Sequence, residues 1–454
     1  MRANSSKRKK NKGVQTYGFK HEKGKENRNP ITNDRSPGRG FKSLHPNFFQ
    51  MKKHYPVVII GAGPAGLMAA RALREEGIDF LIIDSKKEIG LPLRCGEGVR
   101  QEGFEELFGK KRYDFVKNRS NIFEVTGGRT VRKIKANYVI LDRPRFEQWL
   151  AKPIMQELML ETSYLDVIKK EKKKGEACLE VRTDKGNVEA DVVIMAAGCD
   201  YKLQKRFGLA KNNPNLVACY GGIFKAKSKN MKTLRFIFDE DNASAIWIFP
   251  KDNHTVNVGI GIYNEFTKKD IRLVFNDTVK KFNIKLKGKP SYAGVFPTSG
   301  PIKRTYADRL LVCGNAAGQV YAGSGEGIYF SMKAGDIAGR TAAEAVKQRR
   351  FSARFLKRYE RSWKRSFGHH MRASLYFTSI LYLGLKYRKL EELFAAPSDD
   401  DLESLFVHGK VPMKARLVVL IAFLSGMFSH KKKNMPWLVR NIGRAVMKRM
   451  LARR

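Results

Sequence analysis

Apolar and polar positions first fall into order at Val57–Ile60, a β-branched run without a polar break, which predicts a strand buried on both faces. The period then turns helical from about Pro64 to Glu76, where Gly77 stops it, and the unbroken apolar run Phe80–Ile83 predicts a second buried strand. Apolar or alternating stretches at 179–183, 188–195, 234–238, 245–249 and 255–262 predict further strands. Leu310–Cys313 predicts one more buried strand, followed by a Gly/Ala-rich turn and a helix from about Glu326 to Lys347. Beyond Arg349 the pattern is helical and basic. Residues 1–50 show no period, which predicts a basic disordered tail or an extension read from an early start codon, with the folded part beginning at Met51. The whole predicts an α/β chain, α+β overall, with a Rossmann-like domain, an antiparallel-sheet domain and a helical C-terminal region.

Charge adds a constraint on partners. The formal net charge is +44, and residues 1–50 hold 13 Lys/Arg against 3 Asp/Glu, while residues 405–454 hold 12 Lys/Arg and no acid. Such a surface favours polyanions, either nucleic acid or anionic lipid headgroups, or reflects a general bias towards solubility; charge alone does not separate these. No run reaches the roughly 18–20 apolar residues of a membrane span; Ala415–Phe428 is the nearest. Trp437, Leu438, Ile442, Val446 and Met450 share one helical face, and Arg440, Arg444 and Lys448 another. That pattern predicts either a basic amphipathic helix lying on an anionic membrane or a packed helix with a solvated basic face. The 5 cysteines, at 95, 178, 199, 219 and 313, are odd in number and lack metal-ligand spacing. Reduced thiols, a cytoplasmic compartment and no metal site are expected.

Gly61, Gly63 and Gly66 form G-x-G-x-x-G between the first strand and helix. The first glycine permits the turn, the second lets backbone approach a pyrophosphate, and the third lets helix and strand pack closely. Amides of the first helical turn, Ala65 among them, point at the phosphates, and Asp84, ending the second strand, accepts ribose hydroxyls. A second strand–turn–helix at 310–335 is placed to meet the middle of a long cofactor through Gly314, Asn315, Gly325, Gly327 and Ile328. A nicotinamide dinucleotide has no need of so distant a contact, so FAD is the expected cofactor.

At these residues the chain resembles the geranylgeranyl reductase family of flavoproteins, within the p-hydroxybenzoate hydroxylase-like FAD superfamily. The resemblance is carried by "IGLPLRCGEGV" at 89–99, "RPRF" at 143–146, "WIFP" at 247–250 and "GNAAG" at 314–318, and covers roughly residues 55–345. It implies an FAD-binding domain from 51–115, 136–210 and 296–348, a substrate domain from 116–135 and 211–295, and a basic helical region over 349–454. It also implies that Cys95, Gly96, Gly98 and Arg143 lie near the cofactor, with Cys95 assisting proton delivery, tuning the flavin or only packing. Glu97 is read as an acid or a turn residue, and Trp247, Phe249 and Pro250 as the wall of an apolar channel. The implied reaction saturates isolated C=C bonds in geranylgeranyl chains of archaeal-type ether lipids. Reduced FAD would be the hydride source and ferredoxin or NAD(P)H the electron donor, on a protein held peripherally at the membrane by its basic C-terminus.

Two departures from the family pattern stand out. Asn315 replaces an Asp, which removes a charge beside the cofactor, and Ala245 replaces a Tyr or Phe, which alters the expected shape of the cavity. An FAD monooxygenase of the same fold and a basic flavin-containing nucleic-acid-binding protein remain as alternatives. No basic motif interleaved with aromatics is present, so no specific nucleic acid is expected.

Overall fold

The computed structural model describes residues 51–171, 177–226 and 230–428. The tail over 1–50 and the helix expected over 437–450 lie outside the described residues.

Strand His54–Ile60 lies at the centre of a parallel sheet, between Phe80–Ile83 and Gly186–Met195, with Leu158–Met159 and Leu310–Val312 beyond them. Val57–Ile60 and Phe80–Ile83 are buried throughout, as strands covered on both faces must be. Helix Pro64–Glu75 crosses between the first two strands. Helix Ile328–Lys347 packs on it so closely that a Cβ at Gly335 would stand 2.0 Å from the Ala65 carbonyl oxygen. On one side the sheet continues as an antiparallel extension through Ala177–Thr183 and Tyr164–Glu171.

A second sheet of eight strands runs in the order Tyr292–Pro297, Leu216–Lys225, Thr255–Ile262, Ser244–Pro250, Thr233–Asp239, Val116–Gly127, Thr130–Leu141, Gly98–Arg100. Its neighbours are antiparallel except Thr233–Asp239 and Val116–Gly127, which run parallel. Residues 98–100, 136–141 and 296–297, expected in the FAD-binding domain, bond into this sheet instead. The cause is the long hairpin formed by Val116–Gly127 and Thr130–Leu141, whose second strand continues unbroken past the expected boundary and collects Gly98–Arg100 at its edge.

Two-residue periodicity divides the middle of this sheet between two cores. Ala245, Trp247 and Phe249 face the main core, whereas Ile246 and Ile248 join Val274 and Phe275 of helix Ile271–Lys281 on the other side.

A single helix, Ala353–Tyr387, ties the two sheets together; its 35 residues span about 52 Å. Near its start Tyr359 Oη donates to the Val312 carbonyl at 3.0 Å, and Trp363 Nε1 donates to Thr305 Oγ1 at 3.0 Å. Near its end Phe377 packs edge-on against Phe238, and Tyr382 Oη lies 3.2 Å from Thr298 Oγ1. Helix Met413–Phe428 rests on it through Val419, which is buried against Leu375, Tyr376 and Ile380. No helix among the described residues is long and apolar enough to cross a membrane.

Candidate active site

Between the parallel sheet and the second sheet lies a cavity of about 710 Å³. The glycine turn forms one end. Gly61 has φ +103°, and a Cβ there would meet the Ala196 carbonyl oxygen at 2.6 Å, so the turn takes this path only with glycine. Gly66 lies under the turn, 1.8 Å from the Gly61 oxygen if given a Cβ, and so sets strand against helix without bordering the cavity. Gly63 is different: nothing lies within 4 Å of its missing side chain, and it borders the cavity. The turn is therefore a cradle with bare backbone towards an open space. Ala65 borders the same space in the first helical turn, where amides lack partners within the helix.

Asp84 closes this end. One carboxylate oxygen accepts from the Ala62 amide at 2.7 Å and the other from the Lys86 amide at 2.9 Å, which leaves lone pairs for ribose hydroxyls. The second contact also reaches the cavity through Asn315, Gly325, Gly327 and Ile328. Gly314 does not; it is buried beside Ala65 and Ser331, with its amide bonded to Gln319 Oε1 at 2.8 Å. Asn315 donates from Nδ2 towards Cys199 Sγ at 3.9 Å.

The other end is aromatic, with Phe123, Phe236, Trp247, Phe249, Tyr292 and Phe296 along it. Pro250 does not border the cavity. It is one residue past Phe249, so strand alternation turns it away, and its carbonyl accepts from Asn118 Nδ2 at 2.8 Å. Ala245 is buried on the inner face but also stands off the cavity wall.

The segment Cys95–Gly98 lies where the two ends meet. A Cβ at Gly96 would fall 3.1 Å from Trp247 Nε1, and one at Gly98 3.3 Å from Phe249 Cε2, so both glycines let this segment press on the aromatic wall. Cys95 borders the cavity and is half-buried. Arg143, at the head of helix Arg143–Ala151, donates through Nε to the buried Glu147 at 2.6 Å and also engages Cys95. Burial alone would make this guanidinium easier to deprotonate, but Glu147 and Cys95 outweigh that and leave it more firmly charged than a free arginine. Arg143 is therefore a firmly charged cation, paired with Glu147 and bordering the same cavity as Cys95. Cys199 and Cys219 border the same cavity; burial pushes Cys199 up to about 11 and Cys219 higher still, which holds both as thiols.

Glu97 is wholly buried, and its carboxylate is taken up structurally. Oε2 accepts from Lys251 Nζ at 2.6 Å and Asn257 Nδ2 at 2.9 Å, and Oε1 accepts from the Arg143 amide at 3.1 Å. Lys251 and Asn257 escaped the sequence reading. The available signal was a lone polar residue in each of two otherwise apolar strand regions, "WIFPK" and "VNVGIGI". Removing one member of a buried pair strands the other charge. A Lys251→Met protein is therefore expected to lose about 3–5 kcal/mol of stability in urea unfolding, with most of it restored by adding Glu97→Gln. An unchanged midpoint for Lys251→Met would contradict this account.

Comparison with known proteins matches both halves of this arrangement. A sequence model described as an FAD-binding domain matches residues 54–209, and one described as the geranylgeranyl reductase catalytic domain matches residues 216–290. The chain is 31% identical over 367 residues to digeranylgeranylglycerophospholipid reductase of Methanocaldococcus jannaschii, covering 77% of this chain and 89% of that protein. It is 30% identical to digeranylgeranylglycerophospholipid reductase 2 of Methanothermobacter thermautotrophicus, covering 77% and 94%. Among solved structures, a geranylgeranyl bacteriochlorophyll reductase-like protein from Thermoplasma acidophilum superimposes with a TM-score of 0.64 at 23% identity, covering 81% of this chain and 95% of that one. PqsL, a probable FAD-dependent monooxygenase from Pseudomonas aeruginosa, superimposes with a TM-score of 0.59 at 14% identity, covering 76% and 100%. These two likenesses establish the fold.

Proposed function

Because this chain belongs to the geranylgeranyl reductase family of FAD-dependent oxidoreductases, we propose that it saturates C=C bonds in the geranylgeranyl chains of archaeal-type ether lipids. One observation carries the reading: a single cavity is bordered by the dinucleotide cradle, by Cys95 and by the aromatic wall. Gly61, Gly63, the first turn of helix Pro64–Glu75 and Asp84 hold the dinucleotide, and Asn315 and Gly327 hold its middle. The neutral Asn315 still offers a hydrogen-bonding amide there. When bound there, reduced FAD would supply the hydride, which an unactivated alkene accepts only when held close and dry. Phe123, Phe236, Trp247 and Phe249 provide that dryness and grip the isoprenoid chain. Cys95 delivers the proton to the second alkene carbon, and the Arg143 guanidinium beside it stabilises the thiolate left behind. Glu147 fixes that guanidinium in place.

The test is incubation of chemically reduced protein with a geranylgeranyl ether lipid, read by mass spectrometry. A gain of two hydrogens per double bond is expected. An unchanged lipid would refute the proposal, and oxygen gain would replace it with the monooxygenase.

A lipid substrate has to be drawn from a bilayer, and peripheral membrane attachment is part of this proposal. Met413, Leu417 and Ile421, spaced four residues apart on helix Met413–Phe428, are 75%, 52% and 53% exposed, with the exposed Lys410 and Arg416 nearby. An apolar stripe edged by cations suits an anionic headgroup layer. Replacing all three apolar residues by serine is expected to weaken flotation with anionic phospholipid vesicles by about tenfold or more. Undiminished flotation would remove this helix from the contact.

A further inference from the structure

Asn257 lies in strand Thr255–Ile262, is fully buried and does not border the cavity, yet its side chain is bonded on every side. Nδ2 donates to the Cys95 carbonyl at 2.9 Å and to Glu97 Oε2 at 2.9 Å. Oδ1 accepts from Trp247 Nε1 at 3.0 Å and from Tyr292 Oη at 2.7 Å. The carbonyl and the carboxylate only accept, and the indole N–H only donates, so these neighbours admit one orientation of the amide. The four bonds fill its capacity. A buried amide earns no net stability unless it is satisfied in this way, and a sheet interior would ordinarily hold an apolar residue here.

The partners of this amide are not a random selection. On its donor side stands the segment carrying Cys95, which leaves the parallel sheet after Phe80–Ile83 and is anchored a second time where Lys251 meets Glu97. On its acceptor side stand two residues of the aromatic wall, Trp247 and Tyr292, from separate strands of the second sheet. The glycines at 96 and 98 allow the segment to lie directly against Trp247 and Phe249, so contact is already close; what packing leaves undetermined is sliding of the segment along the wall. Directional hydrogen bonds resist sliding where apolar contact does not.

We propose that Asn257 is a positioning residue for the reduction: it sets Cys95 at a fixed offset from Trp247 and Tyr292, and hence from the double bond that the wall holds. This rests on the reading of Cys95 as proton donor. A displacement of about 1 Å between reacting groups costs on the order of a hundredfold in rate, so the effect falls on turnover rather than on lipid binding.

Two variants separate this from a merely structural role. Asn257→Asp keeps an oxygen for Trp247 and Tyr292 but turns a carboxylate oxygen towards Glu97 and the Cys95 carbonyl, so the loop side is repelled while the wall side is kept. Asn257→Ser releases the loop without burying a new charge and serves if the first variant misfolds. In the FAD-loaded full chain, both are expected to lower kcat for a geranylgeranyl ether lipid by about a hundredfold, with KM and flavin content within about threefold of the unaltered protein. Iodoacetamide labelling, located by peptide mass spectrometry, is expected to speed up at Cys95 by about tenfold and to leave the buried Cys178 and Cys313 unlabelled. Labelling at the latter two marks a misfolded sample and passes the decision to the serine variant.

Turnover within about threefold of the unaltered protein overturns the proposal, whether or not Cys95 has become more reactive. Unaltered Cys95 labelling overturns it as well. If the unaltered protein reduces no geranylgeranyl lipid, the proposed function falls, while faster labelling in the variants still upholds the anchoring of Cys95.

Discussion

A Gly66→Ala protein is expected to emerge from purification without flavin colour. The added methyl would lie 1.8 Å from the Gly61 carbonyl oxygen and 2.9 Å from its carbonyl carbon, and both are backbone atoms with no side-chain freedom to yield. Gly61 is itself confined, since it holds φ +103° and has no room even for a Cβ on the side of the Ala196 carbonyl. Relief must come from moving helix Pro64–Glu75 away from strand His54–Ile60, which drags the first-turn amides off the pyrophosphate. Overpacking of this kind costs about 1–3 kcal/mol, and FAD affinity is expected to fall by about a hundredfold or more. Gly63→Ala is the informative control, since its methyl enters open space: folding stability should be kept while FAD binding weakens. Flavin-to-protein ratios and urea midpoints read both. A yellow, fully loaded Gly66→Ala protein would show that the turn does not hold the cofactor.

The second large effect is expected at Cys95. Cys95→Ala should retain FAD, because the thiol is no part of the glycine cradle, yet lose about 10²–10⁴-fold in lipid turnover, the range associated with a positioned general acid. Cys95→Ser should fall between the two proteins: its hydroxyl can occupy the same place but gives up a proton less readily beside Arg143. Cys199 and Cys219 do not replace it, since burial raises both thiols and makes them weaker proton donors. Product mass per unit time at saturating lipid is the measurement. Cys95→Ala turnover within about threefold of the unaltered protein would remove the thiol from the chemistry.

The cofactor end of the site was legible because its signals are local. A strand, a glycine turn and a helix follow one another within thirty-odd residues, and unbroken apolar runs mark strands covered on both faces. The matching turn at 310–335 repeats that grammar. The hairpin Val116–Leu141 is hard to see in the sequence, since its outer face carries Lys117, Arg119, Lys133 and Lys135 and resembles surface chain. Nor does any local pattern announce its parallel pairing with Thr233–Asp239, a contact between distant segments. Pro250 shares the Trp-x-Phe-Pro motif but not the cavity, because a strand sends alternate residues to opposite faces and a motif does not show which face each member takes. Glu97 could be read as an acid only while Lys251 was unknown to lie across from it. Asn257 shows the same limit in sharper form: its four partners come from three separate parts of the chain, and only the folded sheet brings them together.

The long helix Ala353–Tyr387 has a consequence for how a lipid gets in. With Tyr359 and Trp363 bonded at the parallel sheet and Phe377 and Tyr382 seated at the other, it acts as a splint across both halves of the molecule. A clamshell opening would have to break those contacts together. An isoprenoid tail is therefore expected to pass at the rim, where the exposed Val295 borders the cavity and the exposed Leu91 lies between the lining residues Gly90 and Pro92.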